Sequence, residues 1–403
     1  MIRMLKGTFR AVSAETQATP SSVLRPRSNP KLSMRHLALS AVLPLALIGC
    51  GEEEKAAVEP VDIAAGKSVA EAQCAGCHSL DGSSRAPGIP HLAAQVDQYL
   101  SESLLAYKEE KRTHAALRDM TKELSSAEIR NVAGYYASLA PLAGGAELKP
   151  EDLMSPHEKG KAQATACARC HGDDGNSTIP GTPSLAGQQP LYFVSAVRAY
   201  LDGRRSISGK EMLRELSHVD IESLAMYYAT QTPARRGAPD FGEAAAGEPL
   251  SARCGGCHGA HGVSHDTATP SLAAQDPQYL VGAIKAYRDR ARRHDVMLID
   301  DSDEAIANLA AFFAMQESAP AEKAPITAPS LAEKCDRCHG AEVENPTMAT
   351  PKISGQDKDY LVKALRAYRD GKRGSSMMHR MSLPYSEAII ESVAALYANQ
   401  PAR

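Results

Sequence analysis

Apolar residues recur at helical spacing in four similar segments of the chain, which read SSAEIRNVAGYYA, SHVDIESLAMYYA, SDEAIANLAAFFA and SEAIIESVAALYA. This spacing places them on one helix face, which we expect to be buried. The intervening segments, such as YLSESLLAYKE, are amphipathic in the same way, and nothing of repeat length reads as a strand. The pattern predicts an all-α protein. Each of the four segments begins with a serine that suits an N-cap: Ser125, Ser217, Ser302 and Ser386.

The four segments close four copies of one longer unit, which we call repeats 1 to 4. Each repeat opens with a Cys-x-x-Cys-His group, and a proline follows twelve residues after the histidine, in the phrase PHLAAQ, PSLAGQ, PSLAAQ or PKISGQ. A tyrosine comes nine residues after that proline and another comes eight later. Internal repetition of this kind marks tandem structural units. Segments rich in Pro, Gly and Ala separate the repeats, so the sequence predicts four domains at 58–142, 156–233, 241–318 and 327–403.

Composition adds a reason for a bound cofactor. The 403 residues include no Trp and five Phe, while 45 Lys and Arg nearly balance 48 Asp and Glu. The net charge of −3 speaks against nucleic-acid binding, which needs clustered cations. A domain of about 80 residues is marginal for a core made of side chains alone. The shortage of large aromatic side chains therefore favours a large apolar cofactor in each domain.

The Cys-x-x-Cys-His group is the attachment signature of c-type haem. Two thiols three positions apart reach the two vinyl groups of one porphyrin, and the adjacent histidine then lies under the iron. A zinc site would need two further ligands that recur with each copy, and a thioredoxin-type pair belongs in a βαβ unit. Neither pattern is present, and a disulfide stays open for one copy. We expect four haem c groups, attached at Cys74 and Cys77, Cys167 and Cys170, Cys254 and Cys257, and Cys335 and Cys338, with His78, His171, His258 and His339 as iron ligands.

The second iron ligand decides the chemistry of each centre. Nine residues before the isoleucine that opens each final helix, every repeat has a methionine: Met120, Met212, Met297 and Met381. In repeat 4, Met378 stays an alternative, because a gap placed differently would align it instead. The histidines nearby, His114, His218, His294 and His379, share no common position, and we interpret them as surface groups. Ligation by His and Met closes the coordination sphere and raises the reduction potential.

The proline twelve residues after each histidine has a predicted role of its own. A metal-bound imidazole usually donates its other N–H to a carbonyl, which fixes the ring. A rigid turn can present that carbonyl, and an ordinary turn proline is the alternative. The candidates are Pro90, Pro183, Pro270 and Pro351.

Residues 1–49 form a predicted leader. Leu37–Ile48 is an apolar segment preceded by a basic residue, as in a secretory signal, and it is too short to span a bilayer. It leads into Leu-Ile-Gly-Cys, which resembles the lipoprotein box and predicts a lipid on Cys50; a plain signal peptide is the alternative. Residues 1–33 are either an unusual n-region or follow a misassigned start. We therefore expect a periplasmic protein that is anchored to a bacterial membrane by lipid.

Each repeat resembles a class I cytochrome c domain, and the PxLAGQ…YL phrase resembles the cytochrome c4 subfamily of two-domain dihaem carriers. The resemblance covers about residues 60–403 and implies a small helical bundle around each haem, with His/Met ligation. The chain looks like two such proteins in tandem. The resemblance also implies that the first helix of a domain packs on the last through a small residue and an aromatic pair: Gly66 with Tyr135/Tyr136, Gly160 with Tyr227/Tyr228, Gly247 with Phe312/Phe313, and, as a departure, Ala328 with Leu396/Tyr397.

These features predict a tetrahaem electron carrier and not an enzyme. Its partners would be redox proteins, with a quinol-oxidising complex or dehydrogenase as donor and a terminal oxidase or reductase as acceptor. Two alternatives stay open: a cytochrome subunit of a dehydrogenase or reductase complex, and a haem enzyme if one distal methionine does not bind iron. Basic runs after each second tyrosine are candidates for docking an acidic partner, with a solvated helix face or cations near haem propionates as alternatives: Lys108/Lys111/Arg112, Arg204/Arg205, Arg288/Arg290/Arg292/Arg293 and Arg366/Arg369/Lys372/Arg373.

Overall fold

The computed structural model describes residues 60–143, 147–206, 210–293, 301–318, 327–340 and 349–403. The predicted leader with Cys50, and also Met297 and His294, lie outside these ranges. The described residues are helical and contain no strand, which confirms the all-α prediction. No helix among them is long and apolar enough to cross a membrane.

The repeats share one order of helices. Repeat 1 has α1 (Ile63–Val69), a π-helical turn, α2 (Ala75–His78), α3 (Asp97–Lys108), α4 (Ala115–Lys122) and α5 (Ser126–Ala137). Repeat 2 has α6 (Pro156–Ala164), α7 (Ala168–His171), α8 (Pro190–Leu201), α9 (Lys210–Arg214) and α10 (His218–Ala229). Repeat 3 has α11 (Ala244–Ser251), α12 (Gly255–His258), α13 (Pro277–Arg288) and α14 (Asp303–Met315). Repeat 4 has α15 (Ala328–His339), α16 (Lys358–Arg369), α17 (Ser376–Ser382) and α18 (Glu387–Ala398).

The final helix of each repeat begins where the sequence predicts. The hydroxyl of each predicted N-cap serine accepts a backbone N–H in the first turn of the helix. At Ser125 and Ser217 an acidic side chain three residues later also bonds back to the serine N–H, which completes a capping box. The apolar positions of these helices are the most deeply buried part of each repeat; Ile306 and Ile390, for example, are 0% exposed.

The first helix crosses the last at a glycine in repeats 1 to 3. A Cβ atom added to Gly66, Gly160 or Gly247 would lie 2.0, 2.0 or 2.1 Å from a backbone carbonyl oxygen of the final helix. The same Cβ would lie 2.9–3.1 Å from the Cβ of an aromatic residue one turn later, as the resemblance implies. Only glycine lets the two backbones approach this closely.

Four hydrophobic clusters, one per repeat, form the cores. Contacts between repeats nevertheless join Glu59–Arg403 into one compact unit. The division into four domains with the bounds given above therefore stays a prediction.

Repeat 1 pairs with repeat 4, and repeat 2 pairs with repeat 3. The two interfaces use equivalent residues: Gln95 and Gln356 each bond to the backbone of the other's repeat, and so do Gln188 and Gln275. Arg236, in the segment between repeats 2 and 3, donates to Ser177 O at 2.8 Å and to Ala274 O at 2.9 Å. The resemblance to two two-domain proteins in tandem therefore does not extend to the pairing of the repeats, because repeat 1 pairs with repeat 4 and repeat 2 with repeat 3.

The two pairs meet through repeats 2 and 4, where α10 packs on α18. The N–H of Ala388 donates to Glu222 Oε2 at 2.9 Å, and Met226 packs against the hydrophobic cluster of repeat 4. Four repeats are thus linked in the spatial order 1, 4, 2, 3.

Candidate functional site

Each Cys-x-x-Cys-His histidine contacts the carbonyl oxygen of the proline twelve residues later. The Nδ1···O distance is 2.9 Å for His78 and Pro90, and 2.8 Å for each of the pairs His171–Pro183, His258–Pro270 and His339–Pro351. A ring that donates through Nδ1 carries its lone pair on Nε2, the atom that can bind a metal. The same geometry in all four repeats gives four equivalent, oriented imidazoles.

The cysteines next to these histidines are free thiols. The first cysteine of each group is half-buried and the second is exposed. Burial raises the pKa of the Cys74 thiol to about 11, with a further contribution from Cys77. Burial likewise raises the pKa values of Cys167, Cys254 and Cys335. In the polypeptide these four groups are therefore neutral thiols near pH 7.

The candidate distal methionines occupy one structural position wherever they are described. Met120, Met212 and Met381 lie on α4, α9 and α17, the short helix before the final helix in repeats 1, 2 and 4. Met120 and Met381 are half-buried, and Met212 is 48% exposed in the polypeptide. Met378 lies on α17 with Met381 and is also half-buried, so both remain candidates for repeat 4.

The nearby histidines have other partners. His114 is the N-cap of α4, and its Nδ1 accepts the N–H of Leu117 at 3.3 Å. His379 is half-buried, with its Nδ1 2.7 Å from Tyr368 O, and is not the surface group that the sequence suggested. His218 contacts Arg198 and the carboxylate of Glu222. Within the described residues, no three His, Cys, Asp or Glu side chains form a metal-binding cluster.

Four arginines of the predicted docking runs lie between repeats instead of on a free surface. In the 1:4 pair, Arg373 is 9% exposed and donates to Tyr99 Oη at 2.6 Å, while Arg112 donates to Tyr360 Oη at 3.3 Å. The backbones of the two arginines form an isolated antiparallel bridge. Burial would raise the pKa of Tyr360, but Arg373 and Arg112 outweigh it and lower that pKa to about 8. The two guanidinium groups thus create a strongly positive site at the interface.

The 2:3 pair has the same cluster. Arg205 donates to Tyr287 Oη at 3.2 Å, and Arg292 donates to Tyr200 Oη at 3.5 Å. In the described part of the chain, none of the four arginines forms an ion pair with a carboxylate. Docking of an acidic partner through Arg373 is disfavoured, because the partner repeat covers it, while Arg112, Arg205 and Arg292 are half-buried and docking through them stays a prediction.

Sequence reasoning missed two groups of residues at these interfaces. The repeated glutamines lie five residues after the prolines, and the repeated tyrosines were visible as a pattern without an assigned role. Both sets turn out to contact the partner repeat. Their strict repetition was the available signal, since a residue that the core of one repeat does not need can be repeated for an interface.

Comparison with known proteins identifies the family. A family model described as cytochrome c matches residues 63–140. Cytochrome c4 of Thiocapsa roseopersicina is 35% identical over 150 residues, which cover 34% of this chain and 78% of that protein. The chain belongs to the class I cytochrome c family and is cytochrome c4-like.

Two further relatives extend this result. Over 203 residues the cytochrome is 29% identical to cytochrome c4 of Pseudomonas aeruginosa, covering 48% of this chain and 98% of that protein. It is also 32% identical, over 142 residues, to a protein of Thiomonas intermedia (strain K12) named thiosulfate dehydrogenase electron acceptor. That match covers 34% of this chain and spans 65% of the relative's length. Membership of the family implies covalent haem c, and the chain is a c-type cytochrome of electron transfer.

Proposed function

We propose that this cytochrome is a tetrahaem carrier that passes single electrons between redox proteins. The observation that carries the proposal is the fourfold His Nδ1···Pro O contact at 2.8–2.9 Å, beside two free thiols in every repeat. An oriented imidazole next to two thiols is the donor set that haem c requires. The proposed ligands are one histidine and one methionine per centre, with Met378 as the alternative to Met381.

The described residues also fit the other end of a porphyrin. Haem carries two carboxylates, and each interface presents two guanidinium groups that have tyrosine hydroxyls, but no carboxylate among the described residues, as partners. Arginine binds carboxylates strongly because its planar fork of N–H groups matches their geometry. The four interface arginines, with their tyrosines, would hold haem carboxylates.

When bound, haem c supplies a one-electron couple of iron. The protein's own residues determine what that couple does. The cysteines would prevent loss of the cofactor, and the proline carbonyls fix the histidine rings. The buried helices α5, α10, α14 and α18 exclude water from the apolar core of each repeat. With a methionine thioether as its second ligand from the protein, each iron would have no open position for a small ligand, so each centre would exchange electrons and not bind substrate.

We propose a periplasmic location with a lipid on Cys50, and a dehydrogenase or quinol-oxidising complex as donor to an oxidase or reductase. The name of the Thiomonas relative favours a second candidate, in which the cytochrome accepts electrons as a subunit or dedicated partner of a dehydrogenase. Co-purification from solubilised membranes separates the two: a stable complex with a dehydrogenase supports the subunit, and isolation of the cytochrome by itself supports the diffusing carrier.

A redox titration with absorption spectra tests the proposal. We expect four covalently bound haems, a far-red methionine–iron band for every centre and no binding of carbon monoxide to the reduced protein. Fewer than four haems would refute the tetrahaem carrier. A centre that binds carbon monoxide and lacks the band would instead indicate a haem enzyme.

A further inference from the structure

The glutamine that lies five residues after the histidine-contacting proline of each repeat reaches into the partner repeat. Gln356 bonds both polar groups of the His91 backbone: its Oε1 accepts the His91 N–H at 2.6 Å, and its Nε2 donates to His91 O at 2.9 Å. Gln95 returns the same two bonds to Lys352, at 2.8 and 2.9 Å. The contact is therefore reciprocal, as in a two-fold interface.

The residue to which each glutamine bonds directly follows the proline whose carbonyl oxygen contacts the histidine ring. His91 follows Pro90, whose carbonyl oxygen is 2.9 Å from Nδ1 of His78. The peptide group between Pro90 and His91 thus bonds to Gln356 of repeat 4 through its N–H and contacts His78, the candidate iron ligand of repeat 1, through its carbonyl oxygen. The other three connections are Gln95 to Lys352, Pro351 and His339; Gln275 to Ser184, Pro183 and His171; and Gln188 to Ser271, Pro270 and His258.

Each glutamine is itself held rigidly. The four side chains belong to residues that are only 6–8% exposed. The Oε1 atom of Gln356 also accepts the N–H of Asp357 at 2.9 Å, so the amide cannot flip without breaking three bonds. The N–H of Gly355 donates to Tyr397 O at 2.9 Å, which fixes the turn to α18. Because the amide is buried and held in place, it fixes the position of the backbone groups to which it bonds.

We propose that each glutamine is a positioning residue for the iron-binding imidazole of its partner repeat: Gln356 for His78, Gln95 for His339, Gln275 for His171 and Gln188 for His258. The inference rests on the proposed function, in which these histidines bind iron. A hydrogen bond at Nδ1 makes the imidazole a stronger donor to iron and favours the oxidised state. The properties of each centre thus depend on the partner repeat, and the four centres work as the pairs 1:4 and 2:3, of which only the second joins neighbours in sequence.

The test uses the full-chain holoprotein with Gln356→Ala, reduced and labelled with 15N-histidine. We expect solvent exchange of the Nδ1 proton of His78 to accelerate by about tenfold or more, as the loss of a buried hydrogen bond implies. The midpoint potential of that same centre should rise, while both centres of the 2:3 pair stay unchanged. Gln95→Ala should transfer the effect to His339. Gln400→Ala is the matched control, because Gln400 is in repeat 4 and accepts a bond from Ser354, within its own repeat.

A response of His339 instead of His78 to Gln356→Ala, an equal response of all four histidines, or no response beyond that of Gln400→Ala would overturn the proposal. If Gln356→Ala does not assemble with its full haem content, Gln356→Leu fills more of the space but removes both bonds to the His91 backbone, and the same crossed response is expected. The haem count and the far-red band of the unmutated protein test the proposed function separately. The crossed pattern can therefore fail while the carrier stands, or hold while one centre proves to lack methionine.

Discussion

Replacing Gly247 by alanine tests the close helix crossing that builds each repeat. The added Cβ would lie 2.1 Å from Asn308 O and 2.9 Å from the Cβ of Phe312. An ordinary carbon–oxygen contact begins at about 3.3 Å, so α11 and α14 must separate by about 1 Å. Asn308 O is a backbone atom of α14, and the Cβ of Phe312 is bonded directly to that backbone. Neither atom can rotate away as the end of a flexible side chain would.

The expected cost follows from this geometry. Overpacking of a core costs about 1–3 kcal/mol, and the backbone contact places Gly247→Ala at the upper end. Alanine recovers about 1 kcal/mol of helix propensity relative to glycine. The net loss is then about 2 kcal/mol, which accelerates local opening about 30-fold. Native-state hydrogen exchange of peptides from Asp303–Met315 measures it, because that method reports local stability within a large protein.

Gly282→Ala provides the matched control in the same repeat. Gly282 lies in the middle of α13, and a Cβ added there meets nothing within 4 Å. It should gain the helix propensity without the clash and so stabilise α13 by about 1 kcal/mol. Unchanged or slower exchange of α14 in Gly247→Ala would refute the argument, and so would an equal loss of stability in Gly282→Ala.

Three further predictions follow from the described contacts. Gln275→Ala leaves the N–H and C=O of buried Ser184 without partners, so it should destabilise the 2:3 pair by about 1–3 kcal/mol, seen as faster exchange at the interface. Met381→Leu should remove the far-red band of one haem while Met378→Leu preserves it, and the reverse result would assign Met378 as the ligand. Hydrogen bonds from Ser155 lower the pKa of Glu158 below 4.5, so the capping box stabilises α6 fully above that pH. The hydrogen-exchange protection factors of the first turn of α6 should fall as the pH drops through the pKa of Glu158 in the folded state. Glu158→Ala should abolish that pH dependence.

Local structure could be predicted from the sequence because local residues determine it. A serine before an apolar helical pattern begins each final helix, and the fixed separation of twelve residues between histidine and proline corresponds to a direct contact in every repeat. Burial of Arg373 could not be predicted in this way. An arginine in a polar run after an amphipathic helix has the same sequence signature whether water or another repeat covers it.

The pairing of repeats could not be predicted from the sequence for a related reason. Four copies of one self-complementary surface allow three pairings, and the repeated glutamines and tyrosines fit each of them equally well. Pairing repeat 1 with 2 and repeat 3 with 4 is the simplest choice for a chain that resembles two-domain proteins, but the structure pairs 1 with 4 and 2 with 3. Only residues that differ between repeats can select the observed arrangement.

Such a difference lies directly after the glutamine that bonds to the partner repeat. Repeats 3 and 4 have Asp276 and Asp357 there, whereas repeats 1 and 2 have a glutamine or a valine. Asp357 Oδ1 accepts the N–H of Gly88 in repeat 1 at 2.7 Å, and Asp276 Oδ1 accepts that of Gly181 in repeat 2 at 2.8 Å. A 1:2 pair would have neither carboxylate, and a 3:4 pair would place two carboxylates in one interface without these glycines. The charged residue therefore favours pairing of one early repeat with one late repeat, and the segment with Arg236 that directly joins repeats 2 and 3 selects 2:3, which leaves 1 with 4.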